Sequence, residues 1–237
     1  MAQVRRPSPS EVAAELSGRD RVLAGLVARH GPPRLGRPVP VDARFAVLAR
    51  SIVSQQLAGA AVRAIHSRFA DALGGRVSAD TVLRVGPDGL AGCGLSRAKV
   101  EALTDLATRV DGGTVQLDRI GRMDDAEVVE HLVQVRGIGV WTAEMFLLMA
   151  LGRPDVWPVG DFGVRSGYAL AWGTPAPPSP GRLAELGDRF RPYRSAVAWY
   201  CWRSADEAKA QAARGQDRGR ARGREGTGRA RRPKVGA

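Results

Sequence analysis

Apolar positions recur with helical spacing through most of the chain. Phe45, Leu48, Ala49 and Ile52 stand at i, i+3, i+4 and i+7, Ala61, Ile65 and Phe69 continue in steps of four, and Val100, Leu103, Ala107 and Val110 repeat the pattern. Each set lays one apolar stripe along one helix face, which predicts a buried side for each. Helix starts are signalled by Asp124 with Glu127 three residues on, a capping-box pair, and by Ser179 followed by Pro180 at the first helical position. Strictly alternating runs that would build half-buried strands are nearly absent. The pattern predicts roughly nine or ten helices joined by Gly- and Pro-containing turns, hence an all-α domain.

Three regions separate along the chain. Residues 1–40 hold one amphipathic stretch, at 12–28, and then the turn-rich segment Gly31-Pro32-Pro33-Arg34-Leu35-Gly36-Arg37-Pro38; this reads as a leader with one short helix packed on the core. Residues 41–206 carry nearly all the aromatic residues and the sustained periodicity, and form the folded domain. Residues 207–237 are rich in Arg, Gly and Ala, with Val235 their one large aliphatic residue, so they are expected to be a disordered basic tail.

With 237 residues, 44% of them hydrophobic, the chain is long enough for a sizeable core, and no window approaches the roughly 20 apolar residues that span a bilayer. No apolar stretch follows Arg5 and Arg6, so no secretory signal is read and a cytoplasmic location is expected. Two cysteines, Cys93 and Cys201, are too few for an iron–sulfur cluster or a four-thiolate zinc site, and His30, His66 and His131 are scattered without metal-ligand spacing. No cofactor and no catalytic metal are expected. Ser54 and Ser195 lack a nucleophile-elbow context and are given no covalent role.

The 36 Lys and Arg against 24 Asp and Glu leave a net charge of +12, which favours a polyanionic partner. The charge is concentrated, however. Residues 207–237 hold ten basic residues against three acidic ones, a net of 10 − 3 = +7, and the remainder carries 12 − 7 = +5. The folded part is only mildly basic, so its function must be sought in local chemistry.

That chemistry begins at Leu132-Val133-Gln134-Val135-Arg136-Gly137-Ile138-Gly139-Val140-Trp141-Thr142-Ala143. An apolar helix ends in Gly-Ile-Gly and a second begins at once, a hairpin that glycine lets the chain turn. The N–H groups of Gly137, Gly139 and the following first helical turn lack intrahelical acceptors and make a cradle for an anion such as a DNA phosphate. A plain αα-hairpin with glycines serving as caps is the alternative. Twenty-two residues after Gly139 comes Asp161, in Trp157-Pro158-Val159-Gly160-Asp161-Phe162-Gly163-Val164-Arg165, where a Pro/Gly-rich loop delivers one carboxylate to the start of another helix. Asp161 reads either as an ordinary N-cap or as a fixed anion facing a sugar. In the second role it would stabilise the positive charge that builds on a deoxyribose ring when an N-glycosidic bond breaks, and would orient the attacking water.

Together with Ser51-Ile52-Val53-Ser54-Gln55-Gln56-Leu57 before it and Arg191-Pro192-Tyr193-Arg194-Ser195 leading to Trp199-Tyr200-Cys201-Trp202 after it, this arrangement resembles the helix-hairpin-helix DNA glycosylase superfamily, and within it the alkylbase (DNA-3-methyladenine glycosylase II) branch. The resemblance covers about residues 41–206. It implies two helical subdomains with the active-site cleft between them, no iron–sulfur cluster, Asp161 as catalytic carboxylate, and a hairpin of Arg136, Gly137, Ile138, Gly139 and Val140, extended by Thr142, that grips DNA backbone. It also implies a monovalent cation held by hairpin carbonyls. At position 141, where members that nick the backbone carry a Schiff-base lysine, this chain has Trp141, which cannot form an imine. A monofunctional glycosylase is therefore implied.

The damaged nucleotide must swing out of the stack to be reached. The resemblance places Trp141 and Trp202 in the base pocket with Met145 and Phe162 nearby, and the wedge that fills the vacated stack at Gln55-Gln56-Leu57, on Gln56 or Leu57. Gly160 departs from the many relatives that carry a second acidic residue there. Trp199, Tyr200, Phe146 and Trp172 are read as core, and Arg136, Arg165 and Arg194 as phosphate contacts or internal ion pairs. The expected activity is hydrolysis of the N-glycosidic bond of alkylated bases in duplex DNA during base excision repair, by a monomer working on the nucleoid. A noncatalytic helix-hairpin-helix DNA-binding module and a glycosylase for another lesion class are the competing readings.

Overall fold

A computed structural model describes residues 6–57 and 59–227, and among them no strand occurs. Eleven α-helices follow in order: α1 (Pro9–Arg19), α2 (Arg21–His30), α3 (Arg44–Ser54), α4 (Gly59–Ala72), α5 (Ala79–Gly92), α6 (Arg97–Asp111), α7 (Asp125–Val133), α8 (Val140–Met149), α9 (Phe162–Trp172), α10 (Pro180–Gly187) and α11 (Arg194–Thr227). None of them is long and apolar enough to cross a membrane.

Two hydrophobic cores divide the molecule into two helical subdomains, as the resemblance implied. One gathers α3 to α8 around Leu48, Ile52, Leu103, Leu106, Ile120, Leu132 and Phe146. The other gathers Leu16, Leu23, Leu26, Val164, Tyr168, Leu183, Phe190, Val197 and Tyr200 from α1, α2, α9, α10 and α11 and their connections. Leu35 and Trp202, each partly buried, pack against both. Most positions of the stripes read from the sequence are buried: Phe45, Leu48, Ala49, Ile52, Phe69, Val100, Leu103 and Ala107 lie inside, whereas Ile65 and Val110 are partly buried and Ala61 is exposed. Full burial of each large aliphatic side chain contributes about 1.5–3 kcal/mol, so two separate cores of this size each hold their own half together.

The helix starts obey local chemistry. Asp124 accepts from the Glu127 N–H at 2.8 Å while the Glu127 carboxylate accepts from the Asp124 N–H at 2.7 Å, closing the expected capping box. Ser179 caps α10 through the Arg182 N–H at 3.2 Å, with Pro180 at the first position. Helices α9 and α11 run in close contact because position 167 is glycine; a Cβ there would overlap the Cys201 carbonyl. This approach brings the start of α9 against Trp202.

Two expectations about the ends are corrected. The leader is two helices rather than one, because Asp20 ends α1 in an extended conformation and its carboxylate caps α2, accepting from Val22 at 2.7 Å and Leu23 at 3.1 Å. These helices are part of the second core. The region expected to be disordered from residue 207 continues α11 as far as Thr227. Residues 207–214, rich in Ala, Gln, Lys and Arg, are strong helix formers and extend a helix already packed at Val197 and Tyr200. The rest of the expected tail, 228–237, and the first five residues lie outside the described residues.

Candidate active site

Helix α7 ends at Val133 and the chain turns through Gln134 to Gly139 before α8 begins. Gly137 sits at φ +78°, a left-handed conformation that a side chain strains. The turn is held from beneath. Ile138 is only 4% exposed and donates its N–H to the Val135 carbonyl at 3.0 Å, and Asp105 of α6 accepts from the Arg136 N–H at 2.8 Å. Gly139 caps α8 with no side-chain partner, so the first-turn N–H groups of α8 face outward at the positive end of its dipole. Val140 is 56% exposed beside them. At the other arm, the carbonyls of Val133 and Gln134 accept no backbone N–H among the described residues. That oxygen-rich helix end fits the monovalent cation implied by the resemblance.

The structure refines several of the hairpin assignments. The side chains of Ile138 and Thr142 are buried, so any DNA contact there belongs to backbone; Ile138 packs into the first core, and Thr142 lines a cavity between α3, α4 and α8. The Arg136 guanidinium pairs with Glu101 at 2.7 Å at the surface. Arg194 is internal, bidentate to Asp155 with both contacts at 2.9 Å, and Arg165 donates to the Pro178 carbonyl at 2.7 Å.

Asp161 is the N-cap of α9, and its carboxylate also accepts hydrogen bonds from two tryptophans. As N-cap of α9, its Oδ1 accepts from the Val164 N–H at 2.8 Å. The same oxygen accepts from Trp202 Nε1 at 3.0 Å, and Oδ2 accepts from Trp141 Nε1 at 2.7 Å. Trp141 stands in the first turn of α8, directly after the hairpin, and Trp202 on α11, so the carboxylate is held between α8 of the first subdomain and α11 of the second. Trp141 is 49% exposed, and Asp161 is half-buried beside it. Gly163 makes this geometry accessible: a Cβ at that position would stand 3.0 Å from Asp161 Oδ1 and 3.0 Å from Trp202 Cδ1.

A cavity of about 940 Å³ opens beside this clamp between α3, α4 and α8. Trp141, Met145, Gln55, Gln56, Phe69 and His66 contribute to its wall. Trp141 therefore bridges carboxylate and cavity, and Met145 lines the cavity as expected. Trp202 does not: it holds Asp161 by its indole N–H while its ring packs between the cores. Phe162, next to Asp161 in sequence, is likewise absent from the lining of this cavity. Because Gly163 turns its face toward Trp202, the residue before it, about 100° away on the helix, is directed outward and is 68% exposed.

The turn after α3 lies at the mouth. Gln56 is exposed and left-handed at φ +56°, a conformation uncommon outside glycine, whereas Leu57 is half-buried. Gln55 points to protein rather than to DNA: its amide N–H donates to the Gly137 carbonyl at 2.8 Å, tying this turn to the hairpin. Lys99 of α6 steadies the same turn by donating to the Val53 carbonyl at 2.7 Å.

Two polar residues near the site were not singled out as functional by the sequence. Glu144 of α8, one turn beyond Trp141, is half-buried; burial, and secondly the negative charge of Asp161, push its carboxyl up to about 7. His66 of α4 reaches Ser54 of α3 inside the cavity wall, Nε2 to Oγ 2.9 Å. Neither sits in a motif; only the folding of separate helices gives them their surroundings. Among the described residues no group of His, Cys, Asp and Glu is arranged to hold a metal.

Residues 49–192 match the model of the HhH-GPD superfamily base excision DNA repair proteins, and the chain belongs to that family. Its relatives place it in the alkylbase glycosylase branch. It is 30% identical over 201 residues to DNA-3-methyladenine glycosylase 1 of Schizosaccharomyces pombe, covering 84% of this chain and 88% of that one. The solved structure of the S. pombe 3-methyladenine DNA glycosylase in complex with abasic DNA superposes with a TM-score of 0.72 at 30% identity, covering 81% of this chain and 94% of that one. A DNA-3-methyladenine glycosidase structure from Bacillus halodurans gives a TM-score of 0.74 at 29% identity, covering 83% and 89%.

Proposed function

We propose that this protein hydrolyses the N-glycosidic bond of alkylated purines in duplex DNA, releasing the free base and leaving an abasic site. The observation that carries the reading is the Asp161 carboxylate, fixed by three N–H donors from α8, α9 and α11, one of them the Trp141 indole that also lines the cavity. The names of its relatives, and the abasic DNA bound by one of them, support this reaction class.

The outward N–H groups of α8 take a DNA phosphate and set the register of the backbone. The carbonyls of Val133 and Gln134 would hold the monovalent cation, which when bound adds positive charge facing the same phosphate. Gln56, exposed and conformationally strained, enters the stack as the nucleotide leaves it; Val140 and Phe162 lie against the duplex. The base passes over the Trp141 ring into the cavity, where a cationic alkylpurine is attracted to the aromatic face. Its sugar then lies beside Asp161. As the bond to the base lengthens, the fixed anion stabilises the oxocarbenium-like ring, and Oδ2, with one N–H donor and a remaining lone pair, orients the attacking water. Position 141 offers an indole and no amine, so the reaction is hydrolytic and leaves the strand uncut; the working unit is taken to be a monomer.

Asp161→Asn is the direct test. Asn is an equally good N-cap, so α9 keeps its start, but the amide turns an NH₂ toward one of the indole N–H groups and removes the negative charge. Base release from methylated DNA should fall by at least a hundredfold, while affinity for an undamaged duplex stays within about twofold. Turnover at the original rate in the variant would overturn the assignment of Asp161.

A further inference from the structure

The cavity beside Trp141 is largely apolar, but one part of its wall carries an ordered polar pair. Ser54 Oγ donates to the Arg50 carbonyl at 2.8 Å, the back-bond of a helical serine to the preceding turn. Its single proton is thereby used. The contact of 2.9 Å between Ser54 Oγ and His66 Nε2 must then take its proton from the ring, which makes Nε2 the protonated nitrogen and leaves Nδ1 as an acceptor. Among the described residues no hydrogen bond reaches Nδ1.

The surroundings disfavour the charged form of this ring. Burial is the largest influence lowering its pKa, followed by the positive charges of Arg50 on α3 and Lys99 on α6. A neutral imidazole neither repels a cationic alkylpurine nor competes with it as a donor. As a residue of the cavity wall, His66 has its Nδ1 lone pair available to a base edge that enters.

We propose that His66, held in one tautomer by Ser54, is a specificity-determining residue that accepts a hydrogen bond from the exocyclic amino group of the expelled purine. The chemical class so selected is the amino-bearing alkylpurine; its oxo counterpart presents an acceptor there and leaves both lone pairs facing each other. This rests on the reading that the cavity receives the base, and the experiment separates the two.

Three oligonucleotides carrying 7-methyladenine, 7-methylguanine or 7-methylhypoxanthine share the same cationic ring and labile bond and differ in their exocyclic groups. Wild-type protein should excise at least one of the two amino-bearing bases about tenfold or more faster, in kcat/KM, than 7-methylhypoxanthine. His66→Ala should collapse that ratio to within about twofold, and His66→Gln, which restores an acceptor, should recover part of it. An unchanged ratio in His66→Ala, with its melting temperature retained, overturns the proposal. Ala46→Trp fills the cavity from α3, where Ala46 lines the wall. If it blocks excision of all three bases while His66→Ala leaves the ratio intact, the role of His66 alone is lost. If it leaves excision of all three at the wild-type rate, the cavity is not the base site, and the inference goes with it.

Discussion

Replacing Glu144 by Gln should change little below about pH 4.5 and stabilise the protein increasingly as pH rises from there through about 7. The carboxyl is half-buried on α8 with Asp161 nearby, and it titrates at about 7 instead of the ordinary 4.5. Between those values the folded form holds the proton more tightly than the unfolded chain does. The stability conferred by the neutral acid is therefore full below pH 4.5 and is lost as pH rises through about 7. At about 1.4 kcal/mol per tenfold change in proton affinity the difference sets an upper bound of about 3 kcal/mol, and partial solvation of the group reduces the expected effect to about 1–2 kcal/mol. Gln keeps the shape and never charges. Urea denaturation of both proteins should give nearly equal stability at about pH 4 and, at about pH 8.5, a variant more stable by about 1–2 kcal/mol, or some 2–8 °C in Tm. Repeating the pair in an Asp161→Asn background should shrink the gain, because the second cause of the shift is removed. A Gln variant that matches wild type at both pH values, or is weaker at pH 8.5, would refute the argument from burial and charge.

Gly163→Ala should lower kcat for base release several-fold with the fold intact, because the new methyl crowds both Asp161 Oδ1 and the Trp202 indole; steady-state kinetics with a melting curve reads both. Gly167→Ala should instead cost about 3 kcal/mol or more by denaturation, since the neighbour is the Cys201 backbone carbonyl, which cannot rotate away. Borohydride reduction during turnover should trap no protein–DNA adduct, and a trapped adduct would show an amine nucleophile that this geometry does not supply. Removing residues 210–237 deletes nine basic and two acidic residues. Nonspecific DNA affinity should weaken and the slope of log K against log salt should flatten by roughly one unit for each phosphate no longer neutralised; an unchanged slope would make the segment a bystander.

The parts of this molecule that could be read in advance are those where one short stretch of chain contains its own reason. Gly137 must be glycine because of its backbone angle, the Asp124–Glu127 box closes on itself, and Asp161 starts a helix whatever surrounds it. The resemblance across three blocks then placed the two tryptophans near the carboxylate. It could not say that both point their N–H groups at Asp161, or that Trp202 and Phe162 stay out of the cavity, since those outcomes depend on how α9 lies on α11. Gln55 shows the same limit: its amide finds a carbonyl 82 residues away. The end of the chain failed for a different reason. Poverty in apolar residues argued against structure, while high helix propensity carried α11 onward from its packed first half.

The second core takes Leu16, Leu23 and Leu26 from one end of the chain and Val197 and Tyr200 from the other. During synthesis the first thirty residues therefore emerge with their apolar faces unsatisfied and must wait for nearly the whole polypeptide before they find their seat. The first core, local in sequence, is free to close meanwhile. A protein trimmed at the front to the family-matched segment would keep the hairpin and Asp161 in its sequence and yet lose three leucines from beneath the helices that aim that carboxylate.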